Sequence, residues 1–233
     1  MKSQTRHALK EDALAKAAAS SANWMSGHRS SLVRWIIILV AALLLAAGAL
    51  TYWTLQSNAA DAALNAALDT YTTPVQQPGQ EPLPGMMNSA AERSKKANQE
   101  FAAVVAKYGW LPEGAKAKYF VGVTDAELGQ TAQAEAEFKD LKDGSNHELA
   151  NLAKMALANL YHSTKRDSDA ISLLNEIVAK PSMTVTAYSA ELAEADIYDG
   201  EGQTDKAKAL WAKIKDADKD GSAGAIAAQK LGK

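Results

Sequence analysis

Small and bulky apolar residues recur along the C-terminal part of this chain at a nearly constant interval. Four alanines, spaced 37, 36 and 37 residues apart, are each followed four positions later by a bulky apolar residue. These pairs are Ala97/Phe101, Ala134/Phe138, Ala170/Leu174 and Ala207/Trp211. A further apolar residue lies seven positions after each alanine, at Val104, Leu141, Ile177 and Ile214. Apolar residues at i, i+4 and i+7 predict one buried face of an amphipathic helix.

A second series of small residues runs out of phase with the first. Its members are Gly122, Ala158, Ala195 and Gly232, spaced 36, 37 and 37 residues apart. Small side chains are needed where two helices cross, because they let the helix axes approach to about 8–10 Å. Two interlocked series of this kind predict a repeated pair of helices, stacked into a helical solenoid.

The second series also carries a tyrosine signal. Tyr161 and Tyr198 follow Ala158 and Ala195 by three positions. This pattern resembles the tetratricopeptide repeat, which has G-x2-Y in its first helix and A-x3-F in its second. The resemblance covers roughly residue 90 to the C-terminus and implies an all-α solenoid that binds proteins. The chain departs from the family in its period, which exceeds 34 residues, and an ordinary helical bundle is the alternative.

The apolar stripes also predict where the helices begin. Three helix pairs are expected to begin near Ala115, Asn151 and Tyr188, preceded by a single helix over about 89–108. A closing helix is expected to begin at Ser222, a residue type that favours the N-cap position.

Residues 35–55 are apolar and contain no charged side chain. A helix of that length, rising 1.5 Å per residue, spans the roughly 30 Å hydrocarbon layer of a membrane. Trp35 at one end and Tyr52 and Trp53 at the other match the aromatic residues found at membrane interfaces. The alternatives are a buried core helix and a signal peptide cleaved near Ser57-Asn58-Ala59.

The charges flanking this segment predict its orientation. Residues 1–34 carry six basic side chains against Glu11 and Asp12, whereas the C-terminal flank has no basic residue before Arg93. The positive-inside rule therefore predicts a cytoplasmic N-terminus and periplasmic repeats in a bacterial inner membrane.

Four segments follow from these signals. They are a cytoplasmic head (1–34), a transmembrane helix (35–55), a helical stalk with a proline-rich linker (56–88) and a repeat domain (89–233). Four of the six prolines lie within 72–88. Such a segment favours an extended conformation with a reach of roughly 50 Å. The head is expected to be either a short helix over 5–19 or a disordered tail.

Composition narrows the function classes. Residues 89–233 contain 19 basic and 22 acidic side chains, a net charge of −3, which argues against nucleic-acid binding. The chain has no cysteine, and none of its four histidines has the i, i+4 histidine partner of a helical zinc site. The stretch 216–221 matches the start of a calcium loop, but Ala227 replaces the glutamate needed at its twelfth position. We therefore expect no cofactor, no metal and no enzymatic activity.

The predicted function is protein binding. The concave surface of such a solenoid is formed by the first helix of each pair. The resemblance places groove positions at Lys116, Tyr119, Val123, Met155, Asn159, His162, Leu192, Asp196 and Asp199. The layout resembles the ancillary subunit of the bacterial Sec translocon, which implies the translocon and periplasmic chaperones as partners. The alternatives are an envelope, secretion or division scaffold, and an enzyme accessory using Asp196 and Asp199.

Overall fold

The computed structural model describes residue 16 and residues 29–76 and 84–232. Nine helices occur among them. They are α1 (Arg29–Thr72), α2 (Ala90–Tyr108), α3 (Pro112–Glu127), α4 (Thr131–Leu141), α5 (His147–Ser163), α6 (Asp167–Ala179), α7 (Ala187–Gly200), α8 (Thr204–Ala217) and α9 (Ser222–Leu231). The chain divides into two compact units, residues 1–56 and 57–233. Apart from Lys16, the helix considered for 5–19 lies outside the described residues.

The first unit contains the apolar part of α1. Its large apolar side chains are exposed, from 46% at Trp53 to 75% at Leu45. Exposure on every side is the pattern expected of a helix surrounded by lipid rather than by protein. Among the described residues, α1 is the one helix whose length and composition would allow it to cross a membrane.

The second unit is a stack of antiparallel helices whose cores are the predicted apolar stripes. The four alanines, their bulky partners and the residues of the third layer are all buried, none more than 8% exposed. Gly122, Ala158 and Ala195 are buried as well, whereas Gly232 is exposed just beyond α9. The predicted all-α solenoid is therefore confirmed.

Helices in this unit contact their sequence neighbours and, in two places, the helix after next. Direct contacts join α3 to α5 and α7 to α9. Such contacts align the first helices of successive pairs, as a solenoid requires.

The C-terminal part of α1, residues 57–72, pairs with α2, and this helix pair was not predicted. Ala60, Leu64 and Ala67 are at most 4% exposed and share one apolar cluster with Phe101 of α2 and Leu111. The Tyr71 and Phe101 rings lie 6.3 Å apart, edge to face. The compact unit begins at residue 57, whereas the repeat domain was expected to begin at residue 89. Helix α2 is paired with residues 57–72 of α1 instead of preceding the pairs alone.

The two described ends of the proline-rich segment lie close together, in contrast to the predicted long reach. Its ends are joined by two backbone hydrogen bonds, from Gln76 N–H to the Met87 carbonyl (2.9 Å) and from Met87 N–H to the Pro74 carbonyl (3.0 Å). The described ends of the segment therefore lie side by side, and residues 77–83 between them lie outside the described residues.

Three of the turns inside helix pairs have the same geometry. In each, an amide bonds the carbonyl five residues earlier at 2.8 Å: Gln130 to Asp125, Arg166 to Tyr161, and Gln203 to Tyr198. This bond is part of the Schellman motif, which requires a left-handed residue just before the donor. Glycine fills that position at 129 and 202 (φ 74° and 75°), whereas Lys165 fills it in the middle pair (φ 62°).

The N-cap of α9 differs from the prediction. Gly221, rather than Ser222, occupies the N-cap position, and the cap bond comes from Asp218, whose Oδ2 accepts from Gly224 N–H at 3.0 Å. A side chain at position 221 would collide with the Asp218 carboxylate. Asp218, three positions before the N-cap, therefore caps α9 in place of Ser222.

Candidate functional site

An open groove lies between α3 and α5. Its volume is about 420 Å³, a size typical of ligand pockets, which range from about 300 to 1,000 Å³. The lining is mostly apolar and comprises Tyr119, Val123, Ala126, Glu127, Phe138, Leu152, Met155, Ala156, Asn159, Leu160 and Ser163. Helices α3 and α5 are the first helices of successive pairs, which are the helices expected to form the concave side of such a solenoid.

Phe138 reaches this groove from a second helix, α4. A Cβ added at Gly122 would lie 2.7 Å from the Phe138 Cε1 atom, so the missing side chain of α3 leaves room for the ring. The Phe138 ring packs 5.9 Å from the Tyr119 ring, centroid to centroid. The glycine of the second series therefore shapes the apolar floor of the groove.

One end of this mostly apolar groove contains a carboxylate, that of Glu127. Helices α3 and α5 both terminate there, at Glu127 and Ser163. The Glu127 carboxylate accepts hydrogen bonds from Tyr71 Oη (2.6 Å) and Ser94 Oγ (2.5 Å). No described residue forms an ion pair with Glu127. The carboxylate is thus oriented by two neutral hydroxyl donors.

Burial raises the pKa of the two tyrosines near this site above its ordinary value. Desolvation is the larger cause that raises the pKa of Tyr71 to about 12, and the hydrogen bond to Glu127 adds to it. Burial likewise raises the pKa of Tyr119. Tyr71 therefore remains a hydrogen-bond donor to Glu127 over the whole physiological range.

The nine predicted groove positions do not all lie together. Tyr119, Val123, Met155 and Asn159 line the groove, whereas Lys116 is exposed on α3 outside its lining. The other four residues lie outside the lining of this groove, and each has its own environment. His162 Nδ1 contacts Asp167 Oδ1 at 2.6 Å, Leu192 packs against the last apolar cluster, Asp196 pairs with Lys230 at 2.7 Å, and Asp199 is exposed near the end of α7.

Sequence reasoning missed three residues that define the site. Leu152 lies three positions before Met155 on the same helical face, so the spacing alone indicates it. Phe138 was assigned entirely to the core, and only the contact with Gly122 shows that its ring also reaches the groove. Glu127 gave no signal, because its partners Tyr71 and Ser94 belong to a helix pair that was not predicted.

The chemical alternatives find little geometric support. Asp218 of the calcium-like stretch already caps α9 through Gly224. Within residues 29–76 and 84–232, no three His, Asp or Glu side chains are grouped to hold a metal ion. Asp196, proposed for an enzyme accessory, forms an ion pair with Lys230.

Comparisons with known proteins agree with this architecture. Residues 28–233 match the family described as the tetratricopeptide repeat-like domain. Neither the search of curated proteins nor the search of solved structures gave a match. Domains of this kind generally mediate protein–protein interactions and are typically non-catalytic. Because the match covers most of the chain, this protein belongs to the tetratricopeptide repeat-like domain family.

Proposed function

We propose that this protein is a membrane-anchored scaffold that binds segments of other proteins in the groove between α3 and α5. The observation behind the proposal is the groove itself, an open apolar channel with polar groups at one end. Tyr119 and Met155 offer apolar surface, and Met adapts its shape to different side chains. Asn159 is exposed and able to hydrogen-bond a peptide backbone.

The anchor in this proposal is residues 35–55. Their length, composition and exposure support a transmembrane helix. The basic residues of 1–34 support a cytoplasmic head, with the repeats in the periplasm. Anchoring raises the effective concentration of the repeats near other membrane proteins, so weak groove contacts gain in effect.

The layout resembles the ancillary subunit of the bacterial Sec translocon. The translocon and periplasmic chaperones are therefore the first partners to test, and envelope or division assemblies come second. This choice rests on the arrangement of anchor and repeats, while the groove supports protein binding whichever partner is found.

Site-specific crosslinking in membranes tests the binding surface. A photoreactive amino acid is placed at Tyr119 or Met155 in the groove, and at Gln133 or Ser172, which are exposed on α4 and α6, as matched controls. We expect captured proteins from the groove positions only. Equal capture from all four positions, or none from the groove, would refute the proposed binding surface.

Because the natural chain has no cysteine, its topology is open to single-cysteine labelling. We expect Ser172→Cys to react with a membrane-impermeant maleimide when only the outer membrane is permeabilised. Ser3→Cys should react only after the inner membrane is opened. The reverse pattern would place the repeats in the cytoplasm.

A further inference from the structure

We infer that the groove between α3 and α5 selects polypeptide segments in which a large apolar side chain lies close to a lysine or arginine. The inference rests on the proposed function, since it names the class of segment bound at that site. It is carried by two neighbouring features: an apolar floor and an uncompensated negative end.

The apolar part accounts for the first half of this selectivity. Tyr119, Val123, Phe138 and Met155 line the same groove, and Tyr119, Val123 and Met155 are only half-buried. A large apolar side chain placed there removes both its own surface and theirs from water. That burial is favourable by roughly 25 cal/mol per Å² of apolar area.

The negative end accounts for the second half. The Glu127 carboxylate is exposed, and it accepts hydrogen bonds from the neutral hydroxyls of Tyr71 and Ser94. Those two bonds fix its position beside the groove. A carboxylate that is already oriented gains a charge-assisted hydrogen bond from an incoming lysine or arginine without losing side-chain freedom.

The helix ends reinforce this charge. Backbone carbonyls at the C-termini of α3 and α5 give a partial negative charge of about half an electron each. The last turn of α3 contains no basic residue, and the last turn of α5 contains only His162, which is held by Asp167. The helix dipoles therefore add to the Glu127 charge. Lys165 and Arg166 follow the end of α5, and Arg166 is paired with Glu135 and Asp169.

Among the described residues, no cation forms an ion pair with Glu127. Arg93 lies over the Tyr71 ring, 5.4 Å from its centroid. Lys116 lies three turns earlier on α3 and is not part of the lining. Lys154 of α5 is paired with Glu176 of α6 at 2.8 Å. An acidic segment would therefore meet repulsion at this end, and a basic one attraction.

Peptide binding to the full chain in nanodiscs of zwitterionic lipid tests the inference. Three fluorescent peptides share one Phe-Leu core and differ only in flanking residues, which are Lys, Gln or Glu; empty nanodiscs report lipid binding. Fluorescence anisotropy should rank affinity in the order Lys, Gln, Glu. We expect steps of about two- to fivefold at low ionic strength, as for exposed charge pairs, shrinking with added salt.

Two variants test whether the preference for the lysine peptide comes from Glu127. Glu127→Gln should remove most of the preference for the lysine peptide while leaving the glutamine peptide bound as before. Asp216→Asn removes an exposed carboxylate of α8 outside the groove and should change nothing. Circular dichroism checks that both variants are folded. If Glu127→Gln is not folded, the salt dependence of peptide binding to the wild-type protein tests the charge selectivity instead.

The outcomes separate this inference from the proposed function. Equal affinity for the three peptides, or a lysine preference that survives both Glu127→Gln and salt, would overturn the charge selectivity alone. In that case Met155→Ala should still weaken all three peptides. If Met155→Ala leaves their binding unchanged, the groove is not the binding site and the proposed function fails with it.

Discussion

Two helical glycines are expected to respond in opposite ways to the same substitution. Replacing Gly122 by alanine places a methyl group 2.7 Å from Phe138 Cε1, and 3.0 and 3.1 Å from Cζ and Cδ1. Carbon atoms prefer separations of about 3.5–4.0 Å. Because Phe138 is 1% exposed and packs against the Tyr119 ring, a shift of its ring disturbs neighbouring contacts. At Gly200, by contrast, the nearest atom is His162 Cε1 at 3.8 Å, an ordinary contact.

The magnitudes follow from two competing effects. Overpacking a core costs about 1–3 kcal/mol, while alanine gains up to about 1 kcal/mol over glycine in a helix. We therefore expect Gly122→Ala to lower the free energy of unfolding by about 1–2 kcal/mol, because overpacking exceeds the propensity gain. Gly200→Ala should raise it by up to about 0.5 kcal/mol, since the residue is the last of α7 and gains less.

Thermal unfolding followed by far-UV circular dichroism, on the full chain in detergent, measures both effects. For a domain of this size each 1 kcal/mol shifts the midpoint by roughly 2–4 °C. Gly122→Ala should therefore melt about 3–6 °C below the natural chain, and Gly200→Ala at or slightly above it. Adding Phe138→Leu to Gly122→Ala should cost less than the sum of the two single changes, since the clash is then relieved. If Gly122→Ala stabilises the protein as Gly200→Ala does, the helix crossing is looser than described.

Three further substitutions test other parts of the fold by the same melting assay. Lys165→Gly should raise the free energy of unfolding by about 0.5 kcal/mol, because it relieves a left-handed lysine; a loss would contradict this. Leu64→Ala should cost about 2–5 kcal/mol, whereas the exposed Asn65→Ala should not. Hydrogen bonds from Thr184 and from Met183 N–H lower the pKa of Glu148 from 4.5 to about 2. Its stabilising effect is therefore full above pH 4.5 and lost towards pH 2. Glu148→Gln should destabilise the protein at neutral pH and make no difference near pH 2; a pH-independent difference would refute this.

The sequence by itself determined the repeating part of the fold. Ala134 with Phe138, or Ala170 with Leu174, had to be buried together, because residues four apart share one helix face and a stable helix buries its apolar face. The small residues Gly122, Ala158 and Ala195 fixed where helices cross, since close crossings exclude larger side chains. The uncharged run of residues 35–55 likewise showed a helix of membrane-spanning length. Each of these signals is local or strictly periodic.

Tertiary structure alone decided the first helix pair and the character of the groove. Residues 57–72 pack against α2, but residues 73–89 separate these two helices, whereas the helices of each later pair are separated by three residues. The spacing of small residues within the later pairs therefore does not place Leu64 beside Phe101, although the two lie 37 residues apart. The negative end of the groove depends on Tyr71, Ser94 and Glu127, which lie up to 56 residues apart. Such contacts arise from how helices stack, and a one-dimensional pattern holds no record of a contact whose two partners belong to different repeats.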